Sequence, residues 1–134
     1  MTLVVDASAL VWAVAATGPA AGRLRRRLAA QPCHAPHLID AEVGHALRGC
    51  VLRGELTAAD GEVLLAAASP LVDHRYEMTG PLARAAWRLR ENLSFYDAVY
   101  AALAQALEAP LLTYDNRLGK APGIPCAVEL VATL

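Results

Sequence analysis

Four acidic residues sit at positions from which an all-oxygen metal site can be built. Asp6 ends the run "LVVD", Glu42 lies in "LIDAEVGHALRGC", Asp97 in "SFYDAVYAALAQAL", and Asp115 ends "LLTYD". Two hydroxyl residues accompany the strand-terminal pair, Ser8 two positions after Asp6 and Thr113 two before Asp115. Each acid alone has an ordinary structural reading. Asp is a good turn former after a strand, Ser94 and Asp97 fit the helix-start pattern [ST]-x-x-[DE], and a glutamate at a helix edge can simply reach solvent. As a set they are costly. At about 5 Å and an effective dielectric near 20, each like-charged pair costs about 3 kcal/mol. A divalent cation relieves that repulsion, and a donor set without His or Cys favours Mg2+, with Mn2+ as a substitute. Such a centre suits hydrolysis of a phosphodiester, the acids acting chiefly as ligands.

The elements that must bring these residues together are legible as an alternation. "TLVVD" and "APLLTYD" are short continuous apolar runs, as expected of strands buried on both faces of a parallel sheet. "CHAPHL", "PLVDHR" and "PCAVELV" read as weaker strands. Between them lie helical patterns: "SALVWAVA", with Ser8 as its expected cap and Gly18-Pro19 as its end; the arginine-studded "AAGRLRRRLAA"; "LIDAEVGHALRGCVLRG", stopped by Gly54; and "TAADGEVLLAAA" after Thr57. Two further helices follow, "TGPLARAAWRLRENL" and "SFYDAVYAALAQALE", with "NRLGKAPG" as a helical turn or loop. The expected fold is a three-layer α/β/α sandwich with a mainly parallel sheet, one domain spanning 1–134. In such sheets ligands bind beyond the carboxyl ends of the strands, where Asp6 and Asp115 lie. On the helical wheel Ile39, Val43, Ala46, Leu47 and Cys50 form a buried stripe with Glu42 at its edge. Tyr96, Val99, Leu103 and Leu107 form a second core face, and Asp97 shares a side with Ala101 and Ala104.

Bulk properties limit the remaining possibilities. A 56% hydrophobic and 19% charged composition fits a compact domain, and a net charge of −1 gives no global basic signature. Any nucleic-acid contact must therefore be local. Arg23, Arg26 and Arg27 share part of one helical face and Arg84 and Arg88 another, as solvated basic faces or as phosphate contacts. The three cysteines lack metal spacing and read as small buried hydrophobes in a reducing compartment. With no basic leader, and with Asp6 and Gly18-Pro19 interrupting the apolar start, no membrane segment is expected and the cytoplasm is the expected location. The four histidines have no nucleophilic partners, and Trp12 and Trp87 read as core residues.

The pieces "VVDASALV", "APHLIDAEVGHALR", "LSFYDAVYAALAQAL" and "PLLTYDNRLGKAPGI", in this order and spacing, resemble the PIN-domain ribonucleases, in particular the VapC-type toxins of VapBC toxin–antitoxin modules. The resemblance covers nearly the whole chain. It implies that Asp6, Glu42, Asp97 and Asp115 form the Mg2+ site of an endoribonuclease. It further implies that Ser8 and Thr113 orient ligands or water, that Asn116 is an outer contributor, and that Asp115 sits at the last acidic position, where the family varies. It also implies an RNA substrate, a homodimer, and a cognate VapB-type antitoxin. The helices of "VGHALRGCVLRG" and "TAADGEVLLAAA" resemble the region that grips it, the alternative being that their apolar stripes pack on the sheet. Two rivals belong to another class. A PIN-like scaffold without catalysis would be expected to lack one of the four acids, and none is missing. A phosphoacceptor receiver domain would use Asp6, Thr113 and Lys120, but it explains neither Glu42 nor Asp97 and places Asp73 out of step.

Overall fold

The computed structural model describes residues 1–133, the last by its backbone alone. The strands are β1 (Leu3–Val5), β2 (Cys33–Pro36), β3 (His74–Tyr76), β4 (Leu111–Thr113) and β5 (Val128–Leu130), all parallel and ordered β3-β2-β1-β4-β5. The helices are α1 (Ala7–Ala15), α2 (Pro19–Ala30), α3 (Leu38–Leu52), α4 (Ala58–Ala68), α5 (Pro81–Trp87), α6 (Phe95–Ala106) and the short α7 (Asn116–Gly119). β1 and β4 are wholly buried, which is why their sequences are uninterrupted apolar runs. α1 packs with α2, α3 and α4, while α5 packs on α6 and α6 lies against β1, β2 and β4. Right-handed crossovers that run outward from β1 to β3 and then return to β4 place these two helix groups on opposite faces. The α/β/α sandwich with a parallel sheet is thus the architecture of the described residues.

The strand order has a physical consequence for the site. The chain winds from β1 toward β2 and β3, then restarts beside β1 with β4 and winds the other way to β5. Between β1 and β4, crossovers leave in opposite directions, so their connecting helices diverge and leave a crevice at the carboxyl edge. Val4 pairs with Leu111 and Val5 with Leu112, which brings the ends of β1 and β4 level.

Local chemistry fixes where helices begin. Thr57 and Ser94 cap α4 and α6 through their hydroxyls, as their positions in the sequence suggested. α1 starts two residues earlier than a Ser8 cap requires. Asp6 itself is the cap, extended at φ −93° and accepting from the Ala9 N–H, and Ser8 lies inside the first turn. α3 gives way at Arg53 to Gly54, whose φ of 77° suits a residue without a Cβ. α5 is shorter than the sequence pattern implied, its helix closing at Trp87.

Burial departs from the expected stripes at two aromatic positions. Tyr96 is 62% exposed and Trp87 61% exposed, so neither is a core residue. Both lie where α5 and α6 face solvent, and a 3.6-residue period alone cannot say which side of an apolar helix meets the sheet. Trp12 is half-buried and stacks on Tyr114 at 5.7 Å. Cys33 is buried, its thiol pushed up to about 12 by desolvation and by Asp73. Cys50 and Cys126 are only half-buried, and all three are free. His34 is a core polar residue, bonded through Nδ1 to the Tyr76 hydroxyl at 2.7 Å and stacked on His74.

Candidate active site

Asp6 occupies the switch point. Its Oδ1 accepts from the Ser8 hydroxyl at 2.7 Å and from the Ala9 N–H at 2.9 Å. Ser8 Oγ in turn accepts from the Tyr114 N–H at 2.9 Å and lies 3.3 Å from Thr113 Oγ1, while Thr113 Oγ1 accepts from the Asp115 N–H at 3.0 Å. The two hydroxyls therefore stitch the end of β1 to the end of β4. Thr113 is fully buried and Asp6 is 8% exposed. A carboxylate so placed resists ionisation. Desolvation raises its pKa, the hydroxyls of Thr113 and Ser8 and the Ala9 N–H pull it back, and the charge of Asp97 raises it again.

Glu42 arrives from the middle of α3, half-buried at the edge of the Ile39–Val43–Leu47 stripe. Its Oε1 accepts from the hydroxyl of Tyr100 at 2.7 Å, and Tyr100 is itself buried. Burial raises the pKa of Glu42, Tyr100 lowers it, and the charges of Asp6 and Asp97 raise it further. Glu42 and Ser8 border one cavity of about 570 Å3 together with His45 and Tyr96.

Asp97 stands in the first turn of α6. Its backbone N–H donates to Ser94 Oγ at 3.1 Å, so the cap uses the main chain. Desolvation raises the pKa of its carboxyl, the charge of Asp115 raises it too, and Ser94 and Arg117 lower it. Asp115 caps α7 and is the exception. Arg117 donates to it from the backbone N–H at 2.9 Å, from Nε at 3.2 Å and from a terminal nitrogen at 3.1 Å. Those bonds hold its carboxyl below the ordinary carboxylate range. Asp97, Asp115, Ser94 and Arg117 border a second cavity of about 400 Å3.

Asp97 is the common member of the charge couplings among the four acids: it acts on Asp6 and Glu42 and is itself acted on by Asp115, while Asp6 also acts on Glu42. They are not drawn into a cage: among the described residues no group of three or more His, Cys, Asp or Glu side chains could hold a metal ion as placed. Glu42 is turned to Tyr100 and Asp115 to Arg117, the partners that mutually repelling carboxylates take. The donor chemistry still fits a hard cation. It is all oxygen, and three of the four groups have raised pKa values that an added positive charge would reverse. Asn116 opens α7 on the exposed side.

A family model described as the PIN domain matches residues 3–124 of the chain. The chain belongs to the PIN-domain family and is of the VapC type. It is 50% identical over 128 residues to "Ribonuclease VapC1" of Mycobacterium tuberculosis, covering 96% of both chains. It is 41% identical over 129 residues to "Ribonuclease VapC9" of the same species, covering 96% of this chain and 98% of that one. Among solved structures, PAE2754 from Pyrobaculum aerophilum superposes with a TM-score of 0.74 at 25% identity, covering 99% of this chain and 94% of that one. VapBC2 from Rickettsia felis gives a TM-score of 0.71 at 13% identity, over 97% and 98% of the two chains, a likeness of fold.

Two residues of this VapC-type PIN domain escaped the sequence reading. Tyr100 sits on the buried side of α6, three residues after Asp97, and the sequence pattern assigns it no role. Arg117 looked like a turn residue. The signal for Arg117 was its place two residues after a capping Asp, but nothing in the sequence pairs Tyr100 with Glu42, 58 positions away.

Proposed function

We propose that this chain is a metal-dependent endoribonuclease, the toxin of a VapBC-type toxin–antitoxin pair, with Asp6, Glu42, Asp97 and Asp115 as its catalytic, Mg2+-binding acids. The observation that carries the reading is the convergence of these acids at the β1–β4 switch point, each coupled in charge to at least one other. Ser8 and Thr113 hold Asp6, Tyr100 holds Glu42, and the Ser94 cap sets the start of α6 from which Asp97 projects. Bound Mg2+, or Mn2+ in its place, supplies Lewis-acid polarisation of the phosphate and a more acidic water. A water oxygen forms the new P–O bond, one bridging P–O bond breaks, and the water's proton passes to a carboxylate or to solvent while the leaving oxygen takes one up. Arg117, with its side chain 91% exposed, is free to turn from Asp115 toward a phosphate when the acids engage a cation. Asn116 and the hydroxyls of Ser8 and Thr113 support this arrangement.

A VapB-type antitoxin is the proposed partner. Leu52 at the end of α3 and Val63 and Leu65 on α4 are 67%, 66% and 45% exposed, which supports an apolar seat on that side. A homodimer and a cytoplasmic location complete the reading. No described helix is long and apolar enough to cross a membrane. The test is total RNA incubated with purified protein in Mg2+ or in chelator, beside an Asp6→Asn variant. Discrete cuts that need both metal and Asp6 are expected. Intact RNA with folded, metal-supplied wild type would leave a PIN-like interaction scaffold without catalysis.

A further inference from the structure

Three large apolar side chains of α5 and α6 remain in solvent: Trp87 at 61%, Phe95 at 43% and Tyr96 at 62% exposure. Their cavities run end to end. Trp87 and Phe95 border one of about 490 Å3 with Arg84 and Arg88. Phe95 and Tyr96 border the next, about 700 Å3, with Met78 and Glu77. Tyr96 also borders the third, where Glu42 and Ser8 stand. We infer that this groove seats a single-stranded stretch of RNA beside the reacting phosphate, its bases on the rings of Trp87, Phe95 and Tyr96 and its backbone on Arg84 and Arg88.

Charge decides the occupant. Arg27, Arg53, Arg75 and Arg117 are each paired with a carboxylate, whereas among the described residues the guanidinium groups of Arg84 and Arg88 have neither an acid nor a hydrogen-bond acceptor. Arg90 adds a third cation, 5.3 Å from the centre of the Trp87 ring. Exposed aromatic faces interleaved with unpaired arginines are what a polyanion with unstacked bases requires, and every base has a face to stack. Glu77 borders only the middle cavity, which suits bases there and phosphates at the arginine end. A second copy of the chain fits less well. A two-fold contact sets a patch of the same composition against this one, with Glu77, among the described residues, the one acid bordering these two cavities to offset Arg84 and Arg88 as they lose water.

This inference rests on the ribonuclease reading, and the test separates the two. A 5′-labelled single-stranded RNA decamer is titrated with full-length protein in chelator, where nothing is cut, and binding is read by fluorescence anisotropy. Trp87→Ala and Phe95→Ala are each expected to weaken binding about tenfold, with Trp87→Phe restoring most of it. Arg84→Gln and Arg88→Gln are each expected to flatten the salt dependence of log K by about 0.7. Circular dichroism confirms that the variants fold. Unchanged affinity in both alanine variants, or no binding by wild type, would overturn the groove. A change of mass in solution with affinity unchanged would overturn it too, making the face a subunit contact. Adding Mg2+ reads the other reading alone: a strand held through these side chains but never cut keeps the groove and removes the nuclease, while cutting with a KM indifferent to Trp87 and Phe95 does the reverse.

Discussion

Asp97 carries two jobs that a single substitution can separate. Its backbone N–H completes the Ser94 cap, while its carboxyl lies in the field of Asp115 and Arg117. Ser94→Ala is expected to cost about 1 kcal/mol of stability, a fall of about 3 °C in Tm, with cleavage largely retained. Asp97→Asn is expected to leave Tm nearly unchanged and to lower RNA cleavage by at least about a hundredfold, since even the groups supporting a metal ligand are worth 10–100-fold. The reverse pattern in melting and cleavage assays would make Asp97 a cap residue. Tyr100→Phe removes the one hydrogen bond described for Glu42 while keeping the ring in the core. Cleavage should fall about tenfold, with a stability loss of about 1 kcal/mol, read from kcat and from urea unfolding. At this scale the sequence was informative for most local roles, the cap of α1, expected at Ser8 and found at Asp6, being the exception. The Thr57 and Ser94 caps and the strand-terminal aspartates could be read from their neighbours. The cradle of hydroxyls around Asp6 was half legible, because Ser8 and Thr113 meet only once β1 and β4 are side by side.

Strands were legible where they are both wholly buried and largely apolar; β2 is buried throughout but showed weakly because His34 and Pro36 interrupt it. β1 and β4 are buried on both faces and showed as unbroken apolar runs. β3 and β5 are half-exposed and showed weakly. α6 was found with its cap, but its apolar residues extend around the helix, so Tyr96 was assigned to the core although it faces out. The basic face of α2 also resolved differently from a solvated stripe. Arg27 pairs with Glu129 and so ties α2 to β5, and Arg25 donates to the carbonyls of Ala13 and Ala16. Hydrogen bonds from Arg27 hold the Glu129 carboxyl below its ordinary value of 4.5. A depressed folded-state pKa gives stability that is present above the unfolded value and is lost as pH falls through the folded one. Wild type should therefore exceed Glu129→Gln at neutral pH by at most about 1 kcal/mol for so exposed a pair. That gap should close below pH 4.5, as measured by urea midpoints at both pH values. A gap that persists in acid would mean the pair contributes through packing.

At the scale of the whole molecule, function depends on the strand order β3-β2-β1-β4-β5. It sets Asp6 and Asp115 at the one place where crossovers diverge, and α3 and α6 then deliver Glu42 and Asp97 to the same edge. Alternating strands and helices announced a parallel sheet, and the four-part motif order carried the resemblance that family membership now supports. Neither could disclose that Glu42 leans on Tyr100, 58 positions away, because that pairing arises only from the closed fold; the Asp115–Arg117 pair, two residues apart, is local. On the proposed function, Glu42 and Asp115 leave those partners for a cation shared with Asp6 and Asp97. The most direct measurement is the anomalous diffraction of a crystal soaked in Mn2+. A peak roughly 2.1 Å from oxygens of Asp6 and Asp97, with Glu42 or Asp115 in its coordination sphere directly or through water, is the expected result. A soaked crystal with no peak at the β1–β4 edge, Glu42 still on Tyr100 and Asp115 still on Arg117, would contradict it.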